Sequence, residues 1–265
     1  MKTLTKIVLS SVALLALSAC GGGDTASRLD LANPAVRFVH AAAGVASLTL
    51  SRDGVAQAVA TNVGYEFASN YADIDMGTVN WSVATTVGAV PVGVVSIAPV
   101  RGNKYTIVAL DGAAATTSAL LVVDPYNKSL TSDSARLRLV NASPNAPSVD
   151  LYMTAANANL SAPGLVPNIA ATPTGQAGPP SGTDSVDIPG GTVYQVTVTT
   201  AGTKTVLFTG LLGFSANQDI LLVTVPDPLA PAKVAVFFKF EGSTGSAPIA
   251  GLATHPATPP ANPTL

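Results

Sequence analysis

The chain has 265 residues, 48% hydrophobic and only 11% charged, with a formal net charge of −2. A chain this apolar folds over most of its length, and it lacks the basic stripe a phosphate backbone needs, which excludes nucleic acid as a partner. Its single cysteine, Cys20, excludes an intrachain disulfide framework, so stability has to come from core packing.

Lys2 and Lys6 open a processing segment whose apolar run, Ile7 to Leu17, is too short to span a bilayer. Leu17-Ser18-Ala19-Cys20-Gly21 follows and resembles the lipobox of bacterial lipoproteins. The resemblance implies a signal peptide over 1–19 and a mature N-terminus at Cys20. That residue would carry a diacylglyceryl thioether and an N-acyl chain such as palmitate, with membrane lipid as its partner. Gly21 rather than aspartate after the cysteine implies the outer membrane as the address within the cell envelope. Residues 20–33, with Gly21-Gly22-Gly23, read as a flexible tether that Pro34 ends.

Residues 34–129 read as a first β domain. Val36 and Phe38 share one strand face, and Arg37 points the other way, to solvent with its stem along apolar surface. A strand over Ser47 to Leu50 leads into Ser51-Arg52-Asp53-Gly54, a tight turn of a hairpin. Asp73 and Asp75 sit two apart at a strand edge, where charge discourages edge-to-edge pairing. Trp81 and Val83 form one stripe of a strand, so the only tryptophan is expected in the core. Val92–Ile97, Tyr105–Leu110 and Leu120–Val123 complete about eight strands.

A second domain spans 130–240 and starts the same way. Arg138 follows Arg37 by 101 residues, inside Leu137-Arg138-Leu139-Val140-Asn141 against Val36-Arg37-Phe38-Val39-His40. A Pro-, Gly- and Ala-rich insertion, 153–185, then interrupts; a loop of that length is either functional or mobile. Beyond it the match resumes at a separation of 114, pairing Gly77 with Gly191, Asn103 with Asn217 and Leu120 with Val234. After Phe240, residues 241–265 read as a mobile Pro- and Ala-rich tail. The fold class expected is all-β, with two tandem antiparallel β-sandwich domains of immunoglobulin-like kind.

Arg138-Leu139-Val140-Asn141-Ala142-Ser143-Pro144-Asn145-Ala146-Pro147-Ser148-Val149-Asp150-Leu151-Tyr152 and, less closely, Arg37-Phe38-Val39-His40-Ala41 resemble the opening of the DUF4397 family of bacterial exported proteins. The resemblance implies a β domain, often duplicated, on lipoproteins and cell-surface proteins, with no catalytic residue to carry over. Asn141 suits an Asx-type turn with its own backbone, and Asp150 suits a bond from Arg138 on a neighbouring strand. The alternative is that Asn141 and Asp150 are loop contacts to a ligand.

Chemistry is otherwise sparse. The histidines are His40 and His255, too few for a zinc site beside an acylated Cys20. Asp53, Asp73 and Asp75 form no calcium loop, so no metal and no cofactor is implied. No nucleophile-elbow motif surrounds any serine, which leaves a hydrolase using His40 as a remote alternative. The expectation is a non-enzymatic envelope lipoprotein with a structural or binding role. Its rival is an adhesion module that binds a glycan or an envelope protein through its loops, the insertion above all.

Overall fold

The computed structural model describes residues 32–111, 117–125 and 133–251. The expected signal peptide over 1–19, Cys20, nearly all of the expected tether and His255 lie outside the described residues. The first half contains β1 (Ala35–Ala41), β2 (Ser47–Arg52), β3 (Val55–Ala56), β4 (Val63–Gly64), β5 (Ala72–Asp73), β6 (Val79–Thr85), β7 (Pro91–Ile97), β8 (Asn103–Asp111) and β9 (Thr117–Pro125). The second half contains β10 (Ser134–Asn141), β11 (Ser148–Ala155), β12 (Ile169–Pro173), β13 (Gln176–Gly178), β14 (Val186–Pro189), β15 (Thr192–Thr200), β16 (Val206–Phe214), β17 (Asp219–Pro226), β18 (Val234–Phe240) and β19 (Ala247–Pro248).

The protein is all-β, and among the described residues its strands make four sheets. In the first half the order β3-β2-β6-β7 faces β5-β1-β8-β9; in the second, β13-β10-β17-β18-β19 faces β12-β11-β15-β16. Antiparallel pairing dominates, but β1 runs parallel to β8 and β10 parallel to β17. Asp53 and Gly54 both take positive φ, which joins β2 to β3 through the tight turn their sequence predicts.

Three apolar layers separate the four sheets. Phe38, Leu48, Trp81 and Ile107 fill the first sandwich, and Leu139, Leu151, Val196 and Leu222 the second. A third core, with Val39, Val108, Val140, Val223 and Phe237, lies between the two halves. The sheets carrying β1 and β10 are therefore covered on both faces, and every residue of β1 is buried. This corrects the expectation for the arginines. Arg37 and Arg138 are 5% and 2% exposed, because the face opposite each core meets the other half and not water.

The register corrects the repeat. Val36 pairs with Tyr105 and Leu137 with Ile220, so Tyr105 corresponds to Ile220 at a separation of 115. Trp81 likewise corresponds to Val196, and Leu121 corresponds to Phe238 at 117. A separation of 114 is one residue short on β8 and three short on β9, and an odd slip exchanges the two faces of a strand.

Two segments, the insertion read as either functional or mobile and the tail read as mobile, are built into the sheets. The insertion supplies β12 to the β11 edge and β13 to the β10 edge, crossing from one sheet to the other. It then reaches the first half, where Val123 N–H donates to Ser181 Oγ (2.9 Å) and Gly182 N–H to Val123 C=O (2.8 Å). After Phe240, β19 pairs with β18 and Ile249 enters the second core, while Ser246 Oγ accepts from Ala68 N–H at 2.9 Å. The tail expected from 241 thus packs through 251, and its remainder lies outside the described residues.

Candidate functional site

The densest polar cluster is buried between the halves, where β1, β8, β10 and β17 begin. Period-two geometry places Arg37 on the face of β1 opposite Phe38, and Arg136 and Arg138 on the face of β10 opposite Leu137. Arg37 Nε donates to Thr106 Oγ1 (2.8 Å), and its guanidinium lies 4.6 Å from the centre of the Tyr71 ring. Lys104 Nζ lies 5.0 Å from the same ring and 2.5 Å from Glu241 Oε1. Burial pushes the Tyr71 hydroxyl up to about 12, against the pull of Arg37.

Arg138 holds Asp124 with both arms of its fork, Nε to Oδ2 and Nη2 to Oδ1, each at 3.2 Å. It also donates to the carbonyls of Pro179 and Thr183 in the insertion, each at 2.6 Å. Arg136 lies 3.6 Å from Asp124 and pairs with Asp184. Lys239 Nζ donates to Asn70 Oδ1 (2.9 Å) and to Ser243 C=O, and burial with the nearby Arg37 lowers its pKa. Burial and a hydrogen bond with the Asp219 side chain raise the pKa of Glu241, and Lys104 opposes them. The space left for the centres of water molecules is about 10 Å³, which is room for about one.

The cluster has an internal symmetry. Arg37 corresponds to Arg138, Lys104 to Asp219, Asp124 to Glu241 and Tyr71 to Ser185, by the strand register of each half. The ion pairs run crosswise: Asp124 of the first half takes Arg138 of the second, and Glu241 of the second takes Lys104 of the first. The charges are turned toward one another, so the chemistry of this arrangement is fastening.

The two residues proposed as ligand contacts sit elsewhere. Asn141 is fully buried at the end of β10. Its Oδ1 accepts from Ser143 N–H (3.2 Å) and Thr224 Oγ1 (2.8 Å), and its Nδ2 donates to the carbonyls of Ala146 (2.9 Å) and Thr172 (3.1 Å). The Ser143 bond is the Asx turn the sequence suggests. Asp150 accepts from Ala171 N–H (2.7 Å) and Gly202 N–H (2.8 Å). The expected Arg138–Asp150 bond is not made, because they lie in different sheets and Arg138 is spent on Asp124 and the insertion.

His40 occupies the position in β1 that Asn141 has in β10, and it is fully buried. Neither ring nitrogen closes a hydrogen bond of normal geometry, although the Val45 backbone lies near enough to favour the charged ring. Tyr65 meets the ring edge-on at 6.1 Å between centres, and its hydroxyl is also buried without a partner. Burial lowers the imidazole pKa to about 4, with Val45 and the Asp111 carboxylate opposing. Among the described residues no three His, Cys, Asp or Glu side chains come together as a metal-ligand set.

Sequence reasoning missed Asp124, Lys104, Arg136 and Glu241. The available signal was the near-continuous apolar run around each arginine, which marks a strand buried on both faces.

A DUF4397 domain (domain of unknown function) is found at residues 34–152, which takes in the first half and runs through β10 into β11 of the second. No curated relative matches the chain. Among solved structures, the chain is similar to a family 41 carbohydrate-binding module from streptococcal virulence factors that recognises alpha-glucan. That similarity has 12% identity, 76% of this chain and 96% of the other covered, and a TM-score of 0.25. It is also similar to a family 26 module of Eubacterium rectale Amy13K in complex with maltoheptaose, at 7% identity, 84% and 98% coverage and a TM-score of 0.25. At that TM-score neither likeness says what this chain binds.

Proposed function

We propose that this chain is a non-enzymatic lipoprotein of the bacterial envelope, in which two copies of one β module are fastened into a single rigid body behind an acylated Cys20. The observation that carries the reading is the interface. Val39 and Val140, Ala68 and Ala177, Val108 and Val223, and Leu120 and Phe237 are corresponding pairs, and both members of each line the contact. Two modules that meet through the same patch are related as the subunits of a two-fold dimer. The insertion and the segment after Phe240 each tie one half to the other, which suits a spacer or a scaffold. A catalytic role has little to draw on, since the cluster charges are paired and His40 is enclosed.

A binding role through the insertion falls to its outer part, where Val166 is 72% exposed. Removing 157–167 should abolish capture of an envelope protein or glycan without unfolding the chain; unchanged capture would reject that role.

The anchor has a direct test. Cells fed labelled palmitate should incorporate label into the wild type and sediment it with outer-membrane vesicles. Cys20→Ala should stay unlabelled and uncleaved, and label on that variant would refute the anchor.

A further inference from the structure

The segment Tyr65 to Ser69 is laid along the free edge of β1 as a strap. Glu66 N–H donates to His40 C=O (2.9 Å), His40 N–H to Phe67 C=O (2.8 Å), and Ser69 N–H to Phe38 C=O (2.9 Å). Glu66 bends the strap onto β1 with a φ of 63°, where the second half has Gly175 at 74°. The two straps correspond residue for residue: Gly175 N–H donates to Asn141 C=O (2.7 Å) as Glu66 N–H does to His40.

The residue beneath differs. Under the second strap, Asn141 spends its amide on four hydrogen bonds and has no proton to gain. Under the first lies an imidazole with two unpartnered nitrogens, capped by a phenol whose hydroxyl is equally unpartnered. A cation formed there is favoured by the Val45 backbone and the Asp111 carboxylate, but its burial outweighs both, so it is relieved if the strap lifts. The titratable groups around it are Tyr65 and Glu66 on the strap and Asp111 at the end of β8, whose carboxylate already accepts from Gly44 N–H at 2.8 Å.

We propose that His40 is an acid-sensitive lock on the first half: protonation of the enclosed imidazole lifts the Tyr65–Ser69 strap from β1, while the second half, with Asn141 in the same place, stays closed. The strap also accepts Ser246 from the second half and rests Tyr65 on the interdomain core, so its release loosens the joint between the halves. The sign follows from the enclosure. Burial lowers the enclosed imidazole to about 4, and release of the strap returns it toward the ordinary 6.5. Opening is therefore favoured as pH falls below 6.5, and the effect levels off below 4. The proposal stands on the strap and not on the lipid anchor.

Hydrogen exchange of the full chain, corrected for the intrinsic pH dependence of amide exchange, tests it with an internal control. Between pH 7 and 4.5 the opening constant of the 65–69 amides should rise on the order of 50-fold, while the 175–178 amides hold. His40→Asn should abolish the difference, and where that variant fails to fold, His40→Gln serves. Equal acid response in both straps, or its persistence in the variant that folds, overturns the proposal.

Discussion

Asp124 meets Arg138 with two parallel bonds, and it lies beside Arg136 as well. Removing this largely enclosed carboxylate, 13% exposed, leaves the Arg138 guanidinium, 2% exposed, without its counter-charge, a far larger loss than the net worth of the pair. Asp124→Ala should therefore lower the unfolding free energy by about 3–5 kcal/mol in urea titrations. Asp75 makes a similar-looking contact, 3.4 Å from Arg52, but its side chain is 90% exposed. Asp75→Ala should leave the same titration within experimental error, since water already solvates that charge. Equal costs for the two variants would mean that the cluster is far wetter than its packing shows.

At the scale of strands and turns, much of the fold was legible and its register was not. The Asp53-Gly54 turn, the core place of Trp81 and the strands themselves follow from alternation and turn chemistry. The separation of 114 rested on Gly77 with Gly191, on Asn103 with Asn217 and on the apolar run from Leu120 matched to that from Val234, and a run of like residues tolerates a slip of one or three without losing its apolar match. Only the pairing of Tyr105 with Val36, and of Ile220 with Leu137, fixes which side chains face which core. The insertion misled for a related reason: β12 and β13 are short and carry Pro and Gly, so their sequence says loop while the open edges of β11 and β10 make them strands. The turn at Gly190-Gly191 offers a test at this scale. A β-carbon on Gly190 would overlap the backbone of Ala216, whereas one on Gly191 meets open space at a φ of 75°. Gly190→Ala should cost about 3 kcal/mol and Gly191→Ala about 1 kcal/mol, read as thermal shifts in that order. The reverse order would place the strain in the backbone angle and not in the packing.

For the whole molecule, the consequence of an apolar middle layer is that neither half is complete without the other. The sheets carrying β1 and β10 each need a second apolar cover, and they find it in one another. A chain built this way should lose both halves together, because separation exposes Val39, Val108 and Leu110 on one side and Leu221, Val223 and Phe237 on the other. Trp81 makes this measurable: it is the only tryptophan, and it is buried in the first sandwich, on the far side of β1 from the interface. Leu221 is fully buried in the second half on the interface face of β17, so Leu221→Asp puts an unpaired charge in the middle layer at a cost on the order of 4 kcal/mol. With the halves coupled, the urea midpoint of Trp81 fluorescence falls with that of far-UV circular dichroism, although Trp81 touches nothing at the mutated site. With independent halves, Trp81 keeps its wild-type midpoint while the β signal drops in two steps, and the single-body reading fails.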